Sequence, residues 1–146
     1  MPTTNQLNAF HTLVGKTLMC CQRIENDIKW IYAGMVKGDF FGNYEGVKRK
    51  PLGDVLVDLE ALDNSDGHPY LSANDYRLLD QIRRIRNRLA HETYTAFIYE
   101  SNAEKMEEKF KGEYNWMYDE YTSLCTLSDS VERTKMDVLK KYKRKK

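Results

Sequence analysis

The sequence predicts an all-α fold, an up-and-down four-helix bundle. Three observations carry this. Apolar residues recur every three or four positions along most of the chain, no pair of alternating segments suggests strands, and few glycine- or proline-rich stretches interrupt the pattern. At 146 residues the chain is long enough to bury a core as one domain.

The first helix follows from Leu7, Phe10, Val14, Leu18, Cys21, Ile24, Ile28 and Ile31. Their spacing gives a helix of about 25 residues with a wide buried face, ending near Gly34 to Gly38. Residues 38–53 hold four glycines and a proline and read as a loop. Phe40, Phe41 and Tyr44 either fold back onto the bundle or offer an aromatic surface for stacking bases. A short second helix over 51–62 puts Leu52, Val55, Leu56, Leu59 and Leu62 on one face, and 63–69 is another loop. Ser72 and Asp75 form a capping box that opens the third helix, which runs through Leu78, Leu79, Ile82, Ile85 and Leu89 to about His91. Residues 92–100 are β-branched and aromatic, and leave open both an extended connection and a continuing helix. From about Asn102 a fourth helix carries Met106, Phe110, Met117, Tyr121, Leu124, Val131 and Val138, with Gly112 as its weak point. The bundle spans 1–139, and 140–146 form a basic C-terminal tail.

Composition narrows the class. A chain 41% hydrophobic and 31% charged suits a soluble globular protein. No run approaches the ~18 apolar residues of a membrane span, and the N-terminus lacks the basic start and apolar block of a signal peptide. Cys20, Cys21 and Cys125 are an odd set without a CxxC pair, which argues against a disulfide framework and a zinc site. A cytoplasmic protein with reduced thiols is expected. The net charge of +1 conceals a tail, KKYKRKK, with six positive charges on a mildly acidic body. Lys140, Lys141, Lys143, Arg144 and Lys145 can reach a phosphate backbone, or form a solvated helix end.

Two patterns lead nowhere. Gly15-Lys16-Thr17 lacks the glycine five residues earlier that a phosphate-binding loop needs, since Phe10 stands there within an amphipathic helix. His11 and His68 have no ligand set nearby; His11 reads as a surface or packed side chain and His68 as a loop residue. No metal or organic cofactor is expected.

The third helix carries a different signal. On a wheel of about 100° per residue, Leu78, Leu79, Ile82, Ile85 and Leu89 form the core arc, with Arg86 on its edge. Arg83, Asn87 and His91 form an i, i+4, i+8 ladder beside it. Arg86 and His91 are about 140° apart on an ideal helix, so action on one atom needs a bend near the helix end or a second subunit. On the first helix, Glu25 falls within the apolar arc among Leu18, Cys21, Ile28 and Tyr32. A half-buried carboxylate needs a partner, and Arg86 is the candidate; the alternative is that both side chains reach water.

The stretch RNRLAH, at 86–91, resembles the Arg-polar-x3-His signature of HEPN domains. These are helical bundles of toxin–antitoxin, phage-defence and RNA-guided CRISPR ribonucleases. Arg86, Asn87 and His91 match its three positions. The stretch from PLGDVLVDL to IRRIRNRLAH is also similar to mannitol-repressor-like helical proteins. The resemblance implies a HEPN-like fold and a homodimer whose two motifs share a cleft. It implies a metal-independent endoribonuclease, a toxin or phage-defence effector, with a protein antitoxin or regulator as a further partner. Arg86 would stabilise the phosphate, Asn87 would hold it or orient His91, and His91 would move the proton. Glu25, Arg83 and Tyr94 would support them, and Arg88 and the tail would bind RNA. One HEPN branch carries a tyrosine two residues after the histidine as a target of nucleotide modification; here Tyr94 stands three residues after His91. The alternatives are a non-catalytic regulatory or partner-binding bundle of the mannitol-repressor-like kind, in which Arg86 and His91 only cap and pair, and a module that binds RNA without cutting it.

Overall fold

The computed structural model describes the backbone of residues 1–145 and the side chains of residues 1–142. Over these it is all-α, with six helices: α1 Thr4–Met35, α2 Phe40–Val47, α3 Leu52–Asp63, α4 Ala73–His91, α5 Thr95–Ile98 and α6 Ala103–Lys145. Two of the starts are reciprocal capping boxes, Thr3 with Gln6 on α1 and the expected Ser72 with Asp75 on α4.

The expected loop over 38–53 contains a helix. Asp39 accepts from the Gly42 amide at 2.9 Å and so caps α2. Phe40 is buried edge-on against Trp30, with ring centroids 5.4 Å apart, and Tyr44 follows one turn later with its hydroxyl donating to Asn26. Glycine is needed at only one place here: Gly38 turns the chain at φ 110°. Packing of an aromatic face therefore overrides the low helix propensity of two internal glycines. Residues 92–100, left open by their sequence, form the single short turn α5, with Phe97 buried. Gly112 does not interrupt α6, and a side chain there would meet nothing within 4 Å.

The extra reversal changes the topology. Along the α1–α6 seam, Phe10 meets Phe110, Arg23 meets Glu132 and Asp27 meets Lys135. Gly34 closes the seam, because a Cβ there would stand 2.9 Å from Val138. Numbers rise together along both helices, so α1 and α6 run parallel. A strict up-and-down bundle of four long helices would make its first and last antiparallel. Because α2 takes one stroke, α3 runs in the direction of α1. Helix α4 returns against all three, with Arg86 at Glu25, Tyr76 at Asp63 and Arg88 at Glu113.

The core has two parts. The larger holds Cys21, Ile24, Ile28 and Ile31 of α1, the apolar face of α3, and Leu79, Ile82 and Ile85 of α4 against Leu124, Val131 and Val138 of α6. The smaller is aromatic, built on Phe10, Phe97, Phe110 and Met117. Leu89, Trp116 and Tyr121 pack on both. The last turns of α4 therefore sit where the two parts meet. No helix among the described residues is long and apolar enough to cross a membrane.

Candidate functional site on the last turns of α4

Helix α4 presents three sides. Leu79, Ile82 and Ile85 enter the core. Arg86 leaves one flank and Arg88 the other, about 200° apart for residues two positions apart. Between them Asn87 and His91 face solvent.

The expected pairing of Glu25 with Arg86 is present, with Arg86 Nη1 donating to Glu25 Oε2. The Glu25 side chain is only 14% exposed and Arg86 is 41% exposed. Glu25 also receives Lys29 Nζ at 3.5 Å, and Lys29 in turn donates to the Lys48 carbonyl at 2.9 Å. The carboxylate thus has two cations, one tied to the backbone that follows α2. On this flank Arg86, Arg83 and Asn87 line a groove of about 300 Å³ against Pro51, Gly53 and Asp54 at the start of α3.

Arg88, expected to bind RNA, has an internal partner. Its Nε donates to Glu113 Oε1 at 2.9 Å and its Nη2 to Glu113 Oε2, a two-point clamp. Thr93, fully buried, donates to the same carboxylate at 3.3 Å. The guanidinium lies 4.2 Å from the centre of the Trp116 ring. Glu113 holds the Arg88 guanidinium above its ordinary pKa through that hydrogen bond. Glu113 and Trp116 do not stand out as site residues in the sequence. A signal was there: Glu113 falls between Phe110 and Met117 on the apolar stripe of α6, as Glu25 does on α1.

His91 is the last residue of α4 and is exposed. Its imidazole and the Asn87 amide take no hydrogen bond or ion pair from the described residues. Helix α4 is continuous through His91, so Arg86 and His91 keep the separation of helical residues five apart, about 140°. Tyr94 faces away from the motif: it shares a 2.6 Å hydrogen bond with His11 Nδ1 and packs edge-on to Phe10 at 5.4 Å. Burial pushes the Tyr94 hydroxyl above its ordinary pKa. His11, read from sequence as a surface or packed residue, is thus a tether between α1 and the segment after α4.

Lys140 and Lys141, the described basic side chains of the tail, do not join this site within one chain. Helix α6 passes residue 139 without a break. About 27 residues of helix, roughly 40 Å, separate Glu113 from Lys140. Lys140 is exposed, and Lys141 Nζ stands 5.3 Å over the Tyr70 ring at the opposite end of the bundle. Lys143, Arg144 and Lys145 lie outside the described side chains.

No three His, Cys, Asp or Glu side chains among the described residues gather into a metal site. Comparison with protein-family models, with curated proteins and with solved structures finds no match to this chain.

Proposed function

We propose that the chain is a HEPN-like endoribonuclease that cuts RNA without a metal, from a cleft shared by two copies. One observation carries the reading. Arg86 is held by a half-buried carboxylate yet keeps much of its guanidinium in a groove, while Asn87 and His91 beside it are exposed and unpaired. A fixed cation next to a free imidazole suits attack of a ribose 2′-hydroxyl on its own phosphate. His91 takes the hydroxyl proton. Arg86 stabilises the charge that builds on the phosphate, and Asn87 holds one of its oxygens. The 5′-oxygen leaves with a proton drawn from solvent, giving a 2′,3′-cyclic phosphate. Arg86 and His91 point about 140° apart on one continuous helix, so a second copy set against α4 supplies the facing motif. The setting that fits such an activity is a toxin or defence effector restrained by a protein antitoxin or regulator.

Single-stranded RNA incubated with the purified protein in EDTA is the test. The wild type should release fragments ending in 2′,3′-cyclic phosphate, and His91→Ala should release none at an unchanged melting temperature. A monomer by light scattering at micromolar concentration would count against the shared cleft. One observation favours the regulatory-bundle reading: both Arg86 and Arg88 are occupied by carboxylates of the same chain. A dimeric wild type inert on RNA would support it.

A further inference from the structure

The flank of α4 opposite Arg86 carries a second groove, of about 470 Å³, between α4 and α6. That volume falls within the ~300–1,000 Å³ of small-molecule sites. Six of its lining residues divide into three chemical pairs. Arg88 and Trp116 line it together: the guanidinium lies over the indole ring and is clamped by Glu113. Arg84 and Asn87 stand on the α4 side, both exposed and unpaired among the described residues. Glu92 and Glu120 also line it; neither takes a hydrogen bond or a salt bridge from a described residue, and Glu92 feels the charge of Arg88 only at longer range.

Each pair has a complement in one nucleotide. A flat, rigid cationic plane stacks a base, as arginine planes do in single-stranded RNA recognition. Arg84 suits a phosphate oxygen, and Asn87, on the ridge between the grooves, is left to the neighbouring phosphate. Free carboxylates repel phosphate but accept hydrogen bonds from exocyclic amines, which adenine, cytosine and guanine carry and uracil lacks. We propose that this groove is a subsite for one unpaired, amine-bearing base of a single-stranded nucleic acid. It rests on the ribonuclease reading for its role. Asn87 lines both grooves, so a strand crossing this ridge would place the neighbouring phosphate on the Arg86 side.

The chain has two tryptophans, and Trp116 can be made the only one. Trp30→Phe keeps the aromatic contact with Phe40 and removes a buried indole N–H that has no hydrogen-bond partner. This full-length variant is titrated with 2′-deoxy hexamers of A, C and U, which lack the attacking hydroxyl and cannot be cut. Trp116 emission and oligonucleotide anisotropy are read together. A and C hexamers should quench Trp116 and bind about tenfold tighter than U. Glu92→Gln with Glu120→Gln should level that difference, because an amide also donates to a uracil carbonyl. Arg84→Ala should weaken all three alike and lower the salt slope by about one. Equal affinity for A and U, or anisotropy showing binding while Trp116 stays unquenched, overturns the subsite. The ribonuclease reading fails separately: quenching by A and C with ribo-oligomers left intact keeps the subsite and removes the cleavage.

Discussion

Arg86 and Arg88 stand two residues apart on α4, and each meets a carboxylate from another helix. The two pairs differ in kind. Glu113 is 2% exposed, takes both ends of the Arg88 fork, receives Thr93, and lies beside a tryptophan stacked on the same guanidinium. Glu25 is 14% exposed, takes one nitrogen of Arg86, and shares itself with Lys29. A buried carboxylate with one cation depends on that cation. A half-buried carboxylate with two does not. Arg88 therefore joins α4 to α6, and Arg86 keeps hydrogen-bonding capacity to spare.

That contrast orders the expected losses of stability. Arg88→Ala strands Glu113 in the interior and should cost about 3 kcal/mol or more, read by urea unfolding. A loss no greater than that of Arg86→Ala would erase the distinction. Glu25→Ala should cost less, about 2 kcal/mol, because Arg86 can reach water and Lys29 keeps the Lys48 carbonyl. Arg86→Ala should cost about 1 kcal/mol, since Glu25 retains Lys29. The same variant should lose all RNA cleavage, so activity and stability would rank the two arginines in opposite order.

Two smaller effects sharpen the picture. Gly112→Ala, next to Glu113 on an open face of α6, should raise stability by about 0.5–1 kcal/mol. A loss there would mean that the Arg88 clamp needs freedom in α6. Near Arg86, burial pushes the Cys21 thiol up to about 12. An unfolded thiol ionises near ~8.5, so above that pH the unfolded chain releases a proton that the native one keeps. Stability from this group is full below about pH 8.5 and declines as pH rises towards 12. Cys21→Ala should flatten the decline between about pH 8.5 and 10, and an unchanged slope would assign it to other groups.

The two pairs were unequally legible. Glu25 stands out on a single helical wheel, as does Arg86, and complementary charge connects them. Glu113 lies on the stripe of α6 by the same criterion, but the aromatic and charged residues around Gly112 blur that stripe. Arg88 sits away from the core arc of α4 and reads as a solvated cation until α6 is placed beside it. The His11–Tyr94 bond joins residues 83 positions apart, and neither local pattern points to the other.

The sequence by itself determined the all-α class, the start of α4 at Ser72, the apolar faces and the place of Glu25 among apolar residues. These rest on periodicity and on side chains that cap amides three residues away, interactions the chain carries locally. Tertiary structure decided the rest. It made a helix of 40–47, because Phe40 and Tyr44 gain more by packing on Trp30 than two glycines lose in backbone entropy. That extra stroke set α6 parallel to α1, which in turn brought Glu113 and Trp116 to Arg88 and carried Lys140 and Lys141 to the far end of the bundle. Partners across helices are chosen by direction and register, and both depend on contacts between residues far apart in the chain.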